Sequence, residues 1–163
     1  MILGISGSLR AGSSNLQLLQ AVQELAPFQL VLCEGLGELP HFNPDLDAEG
    51  LLPPPAVAAL RAQISACEGV IISSPEYAHG LPGSLKNLLD WLVSYPDFAG
   101  KKVLLLNASA AGGQHAQASL REILRTMSAQ VLEASLVEPF VPRKGQLDDA
   151  AREKLRTALR AFG

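Results

Sequence analysis

ILGISGSLRAGSSNLQLLQAVQEL, residues 2–25, is the stretch that decides the fold. Residues 2–5 form a nearly continuous apolar run, the pattern of a strand buried on both faces. Leu18, Leu19, Val22 and Leu25 then recur at helical spacing, one apolar stripe of an amphipathic helix. Between strand and helix lies GSLRAGSSN, residues 7–15, a polar loop with one arginine. A doubly buried strand feeding directly into a helix is the opening of a βαβ unit, and such units build parallel sheets.

The same alternation recurs along the rest of the chain. Apolar runs at residues 30–33, 70–72, 103–106 and, more weakly, 131–137 read as further strands. Helical stripes separate them: Val57, Leu60 and Ile64; Leu85, Leu88, Leu89 and Leu92; Leu120, Ile123, Leu124 and Met127; and finally Ala151, Leu155, Ala158 and Leu159. These residues are expected in the core. The order βαβαβαβαβα predicts an α/β doubly wound parallel sheet with right-handed crossovers. Five strands favour the flavodoxin-like order 2-1-3-4-5 over a six-stranded dinucleotide fold. The chain of 163 residues shows no internal repeat, linker or low-complexity tract, so one domain over residues 1–163 is expected. One long connection, residues 34–55, carries Pro40, Pro44 and the triplet at 53–55. A loop of that length is usually a functional or contact surface, although a passive connector is the alternative.

Composition removes several classes of function. Apolar residues make up 48% and charged residues 18%, which suits a packed core and not a disordered chain. The net charge is -3 and lysine and arginine are scattered, so no nucleic-acid footprint is expected. No apolar run is long enough to span a membrane, and no charged, apolar leader precedes the first strand. A cytoplasmic location is the expectation. Cys33 and Cys67 have neither metal spacing nor disulfide density, and read as buried thiols. His41, His79 and His115 stand in separate loops without ligand spacing, so no metal site is expected.

In an open α/β sheet, ligands sit beyond the carboxyl ends of the strands at the switch point, here between strands 1 and 3. Three unusual loops converge there. The first, residues 7–15, runs into a helix whose free N–H groups and dipole favour an anion. Ser8, Ser13, Ser14 and Asn15 add short polar groups, and Arg10 adds a fork suited to phosphate. Ser13 or Ser14 as a simple helix cap is the plainer alternative. The pattern is neither GxGxxG nor GxxxxGK[ST], which argues against a dinucleotide fold and against nucleotide hydrolysis. The second loop, SSPEYAHGLPG at residues 73–83, is stiffened by Pro75 and Pro82 and carries Tyr77, an aromatic face for a flat ring or a packing residue. The third, NASAAGGQ at residues 107–114, offers backbone donors through Ser109, Gly112 and Gly113, or is a glycine-rich helix start. Trp91 and Tyr95 fit either an outer helix face at a subunit contact or burial within the chain.

With Ser8, Arg10, Ser13 and Asn15 at S-x-R-x-x-S-x-N spacing, the first loop resembles the NADPH-dependent FMN reductase family, which includes chromate, quinone and azo-dye reductases. SPEYAHGLPGSLKNLLDWL at residues 74–92, NASAAGGQHAQASLREIL at 107–124 and LPHFNPDLD at 39–47 resemble further segments of that family. The C-terminal EPFVPRKGQLDD is shorter than is usual there. The resemblance implies FMN held at its phosphate by Ser8, Arg10, Ser13 and Asn15, with Ser14 a further cofactor-binding candidate from the loop itself. It implies a ring bedded on Pro75, Glu76 and Tyr77 with Ser109, Gly112 and Gly113 nearby. It further implies NADPH or NADH as co-substrate, a small-molecule acceptor, no catalytic side chain, and a homodimer or homotetramer. With one flavin face resting on the protein, nicotinamide and acceptor must share the other, so ping-pong exchange is expected. Two rivals remain. One is a flavodoxin-type electron carrier, against which the modest net charge and Arg10 speak. The other is a fold relative that binds a different phosphate ligand without redox chemistry.

Overall fold

A computed structural model of the chain describes residues 1–108, 113–134 and 147–163. Strand β1 (Ile2–Ser6) leads through the serine-rich loop into α1 (Ser14–Leu25), followed by β2 (Leu30–Leu32). The long connection is punctuated by two short 3-10 turns, Leu36–Glu38 and Pro44–Leu46, before α2 (Pro55–Ala66). Then come β3 (Gly69–Ser73), α3 (Gly83–Asp90), β4 (Lys102–Leu106), α4 (Gln114–Thr126), β5 (Gln130–Val131) and α5 (Asp149–Leu159). All strand pairs are parallel and the sheet order is β2-β1-β3-β4-β5, the order expected from the sequence.

The continuous apolar strands are explained by two cores, one on each face of the sheet. Leu3, Ile5, Val70, Ile72, Val103 and Leu105 point to one side, where Leu60 and Ile64 of α2, Leu85, Leu88 and Leu89 of α3, and Leu120 and Leu124 of α4 cover them. Ile2, Ile71, Leu104 and Leu106 point to the other, under Leu18, Leu19 and Val22 of α1 and Leu155 and Leu159 of α5. Successive strand residues thus alternate faces, yet every face is covered, so no polar alternation is left in the sequence. Each fully buried leucine or isoleucine contributes about 1.5–3 kcal/mol.

Helix starts follow the sequence. Ser13 caps α1, its Oγ accepting from the Asn15 N–H at 3.2 Å. Asp148 caps α5, accepting from the Ala151 N–H at 2.8 Å. The proline triplet launches α2, with Pro55 at the first helical position, where its missing N–H costs nothing.

The long connection is strapped to α3. Asn87 accepts from the Phe42 N–H at 2.8 Å and donates to the Pro40 carbonyl at 2.9 Å. Trp91 donates its indole N–H to the same carbonyl at 2.8 Å and meets Phe42 edge-on at 5.1 Å. Asp47 accepts from Arg61 at 2.8 Å and from Ser94 Oγ. Trp91 is therefore wholly buried in the chain, which decides between the two sequence expectations, while Tyr95 is half-buried. Cys67 is buried as expected, but Cys33 is only half-buried, because β2 is an edge strand that ends at Leu32. The weak fifth strand is found at Gln130–Val131, and residues 135–137 of the expected run lie outside the described residues.

Candidate functional site

The β1 and β3 loops approach each other so closely that a side chain at residue 7 would force its neighbours to move. Its N–H donates to the Ser73 carbonyl at 2.8 Å, extending the parallel ladder one residue past β1. A Cβ there would lie 2.7 Å from Ser74 Oγ and 3.1 Å from Leu85 Cδ2. From Gly7 the chain turns outward. The Arg10 N–H donates to Ser8 Oγ at 3.3 Å, and the Ser13 N–H donates to the Arg10 carbonyl at 3.0 Å, which sets the entry angle of α1.

The result is an open cleft of about 210 Å³ over the N-terminus of α1. Ser8, Arg10, Ser13, Ser14 and Asn15 line one side, with Pro75, Tyr77 and Ala108 opposite. Among the described residues no carboxylate lines it and Arg10 makes no ion pair. An exposed guanidinium, serine hydroxyls and a helix N-terminus suit a phosphate dianion, so these residues fit the phosphate end of a mononucleotide. Tyr77, 56% exposed, supplies an aromatic face at the mouth.

The serine-loop residues divide in their roles. Ser13 is buried and spends its oxygen on the cap. Asn15 is buried as well, and its Oδ1 accepts from Ser73 Oγ at 2.9 Å and from the Ala108 N–H at 3.3 Å. That amide ties together the start of α1, the end of β3 and the exit of β4. Ser8, Arg10 and Ser14 remain the accessible polar groups.

Glu76 and Gly113 do not line this cleft. The Glu76 carboxylate accepts from the Ala116 N–H at 2.9 Å, in the first turn of α4. Gly113 precedes that helix, where a Cβ would lie 2.8 Å from Asn107 Nδ2. Both border a neighbouring opening with His79, Gln114 and His115. Between Glu76 and Gly80 the chain makes a tight hairpin turn: Tyr77 and Gly80 exchange N–H···O bonds of 3.1 and 2.9 Å. Ala78 and His79 at its tip have φ of 49° and 60°. Such conformations in non-glycine residues cost about 1–3 kcal/mol each and gather at functional sites. Ser109 and Gly112 lie outside the described residues.

The pairing of His79 with His115 was not expected from their spacing. It follows from topology, because β3 and β4 are neighbours and so are the loops that leave them. Neither cysteine lines either opening. Burial, then the Cys67 thiol and Glu34, push the Cys33 thiol up to about 11, and burial raises Cys67 too. Both are poor nucleophiles at neutral pH.

Sheet order, the β1/β3 switch point and an anion cradle at the start of α1 define a flavodoxin-like α/β protein that binds a phosphorylated ligand. The comparisons sharpen this. The NADPH-dependent FMN reductase family profile matches residues 1–140, and the chain belongs to that family. It is 36% identical to the NAD(P)H-dependent FMN reductase of Pseudomonas aeruginosa, across 99% of this chain and 92% of that one. It is 33% identical to the quinone reductase of Escherichia coli, across 99% and 93%. Among solved structures, the flavoenzyme NAD(P)H:(acceptor) oxidoreductase FerB of Paracoccus denitrificans superposes with a TM-score of 0.82, at 28% identity over 99% of this chain and 93% of that one. The chain is accordingly an NAD(P)H-dependent oxidoreductase of the FMN class. Among the described residues no helix is long and apolar enough to cross a membrane.

Proposed function

We propose that this chain is a single FMN-binding domain over residues 1–163. It reduces a small acceptor (a flavin, quinone, azo compound or chromate) with NADPH or NADH, in the cytoplasm, as a homodimer or homotetramer. The observation that carries this reading is the cleft above the N-terminus of α1, where among the described residues no carboxylate lines the wall and Arg10 makes no ion pair. Bound FMN supplies the two-electron chemistry that no side chain of the cleft can perform. Arg10, Ser8 and Ser14 bind its phosphate. Ser13 and Asn15 hold the loop in the shape that binding needs, through the cap and the Ser73 and Ala108 bonds. Pro75 and Tyr77 bed the ring, and the Glu76 segment fixes their loop against α4; Ser109, Gly112 and Gly113 stay candidates for backbone donors on the resemblance alone. The exposed Leu46, Leu51 and Leu52 of the long connection support a subunit contact, Leu52 being 94% exposed in the single chain.

The nicotinamide and the acceptor ring both need the open side of the cleft, so they enter in turn. Initial rates at several fixed acceptor concentrations should give parallel double-reciprocal lines, and NAD(P)H alone should bleach the flavin before any acceptor is added. Turnover with a quinone and no partner protein distinguishes the enzyme from an electron carrier. Intersecting lines, or a flavin that stays oxidised until acceptor arrives, would sink the shared-face reading.

A further inference from the structure

The loop after β3 and the first turn of α4 hold a side-chain cluster for which binding a flavin phosphate has no use. Glu76, His79 and His115 each present a ligand atom, and these atoms all lie within 4.8 Å of one another. The two imidazoles stack with centroids 4.2 Å apart and planes inclined by 24°. Together with Gly113 and Gln114 they wall an opening of about 230 Å³, whose lining shares no residue with the Arg10 cleft.

Each member is delivered by its own piece of backbone. The turn at Ala78 and His79, held at positive φ by the Tyr77–Gly80 bonds, presents His79. His115 stands in the first turn of α4. Glu76 is fixed through one carboxylate oxygen by the Ala116 N–H, and its other oxygen has no partner among the described residues. Both histidines are exposed, and neither makes a hydrogen bond among the described residues.

We propose that Glu76, His79 and His115 form a binding site for a divalent transition-metal ion of the zinc class, ligated by one carboxylate oxygen and one nitrogen of each imidazole. Two imidazoles and a carboxylate suit zinc, copper, nickel or ferrous ions, whereas calcium and magnesium demand oxygen. Bonds of about 2.0–2.2 Å place tetrahedral ligand atoms roughly 3.4 Å apart. With the ligand atoms within 4.8 Å of one another, the cluster needs to tighten by no more than about 1.4 Å, which rotation of two exposed imidazoles supplies. Three protein ligands leave a further position open for water or an added ligand.

An anion is the competing occupant, since histidines at a helix N-terminus attract phosphate. The Glu76 carboxylate decides against it, because it already occupies that helix end and its charge repels a second anion. The same helix end disfavours a cation, so the carboxylate is an essential ligand rather than an accessory one. An ion held here ties the Tyr77–Gly80 turn to α4 and fixes the aromatic edge of the neighbouring cleft. The site does not depend on the flavin reading.

The test is calorimetric titration of chelator-stripped, FMN-loaded protein with zinc chloride. One ion per chain should bind at micromolar or tighter dissociation constant. His79→Ala, His115→Ala and Glu76→Gln should each weaken binding at least tenfold, and His41→Ala should leave it unchanged. Flavin absorbance and the urea midpoint verify that each variant is folded. In Cu2+-loaded protein, electron paramagnetic resonance should show two coordinated imidazoles in the parent and one in either histidine variant. The proposal is overturned if zinc does not bind, if it binds equally to the double variant His79→Ala/His115→Ala, or if inorganic phosphate binds there in preference to zinc.

Discussion

Replacing Asn15 with alanine separates a residue that builds the cleft from one that contacts the ligand. The Asn15 side chain is 5% exposed, and its Oδ1 accepts from Ser73 Oγ at 2.9 Å and the Ala108 N–H at 3.3 Å. Asn15→Ala leaves both donors buried without an acceptor, since Ser73 is 0% and Ala108 4% exposed. An unsatisfied buried donor costs about 1–3 kcal/mol. The Ser73 hydroxyl can rotate toward another acceptor and the Ala108 bond is long, so the total falls at about 2–4 kcal/mol. With a urea m-value of about 2 kcal/mol/M, the midpoint should drop by about 1–2 M. Ser73→Ala removes one donor but leaves Oδ1 bonded to Ala108, and should cost only about 0.5–1.5 kcal/mol. The double variant should lose less than the sum, because the two side chains share one bond. Urea unfolding followed by circular dichroism and by fluorescence of Trp91, the single tryptophan, with FMN stripped and in excess, measures all three. An Asn15→Ala midpoint within about 0.3 M of the parent, accompanied by a selective loss of FMN over riboflavin affinity, would refute the tie and make Asn15 a phosphate ligand.

Arg10→Ala should weaken FMN binding by about 1.5–3 kcal/mol, the worth of a hydrogen bond to a charged group, and leave riboflavin affinity unchanged; equal losses for the two flavins count against a phosphate contact. Cys33 is an acid whose pKa is raised in the fold from 9.0 to about 11, by burial first. Between those values the unfolded chain loses the proton that the folded chain keeps, so stability is full below pH 9 and falls as pH rises toward 11. The Cys33→Ala urea midpoint should therefore fall less steeply than the parent's over pH 8–11, and an identical slope contradicts this; Cys33→Ala/Cys67→Ala should still turn over, because neither thiol lines the Arg10 cleft or the opening beside it. Asn87→Ala removes the two Asn87 bonds to the long connection, at Phe42 and Pro40, and leaves Pro40 held by Trp91 alone. It should change acceptor preference or assembly while FMN stays bound, and loss of flavin with both unchanged would assign the connection another role.

Much of the fold was legible because the sheet is covered on both sides. A strand such as Val70–Ile71–Ile72 sends Ile71 to one core and its neighbours to the other, so no polar residue interrupts it. Edge strands carry less of that signal. β2 ends at Leu32, although the Cys33 N–H still reaches the Gly4 carbonyl at 2.7 Å, so the apolar run overshoots the strand by the one residue whose single remaining ladder bond lies on the β1 side. At the opposite edge, Gln130 is exposed and, among the described residues, β5 pairs with β4 alone, so little burial pressure reached its composition.

The site divides along a different physical line. Short donors and an arginine before a helix are visible in one dimension, because a helix N-terminus makes an anion site from residues adjacent in sequence. What that reasoning cannot separate is an oxygen aimed at a ligand from one aimed at the fold. Ser13 and Asn15 are short polar residues like Ser8 and Ser14, yet they are buried and spend their oxygens on the cap and on Ser73. The meeting of Glu76 and His79 with His115 needs the strand order as well as the residues. Parallel neighbours β3 and β4 release their loops at the same edge, so polar groups in those loops converge however far apart they lie in the chain. Once order 2-1-3-4-5 is accepted, pairing the contents of adjacent loops becomes a sequence operation. Applied here, it picks out Glu76 and His79 after β3 with His115 after β4, while His41, in the connection after edge strand β2, is left aside.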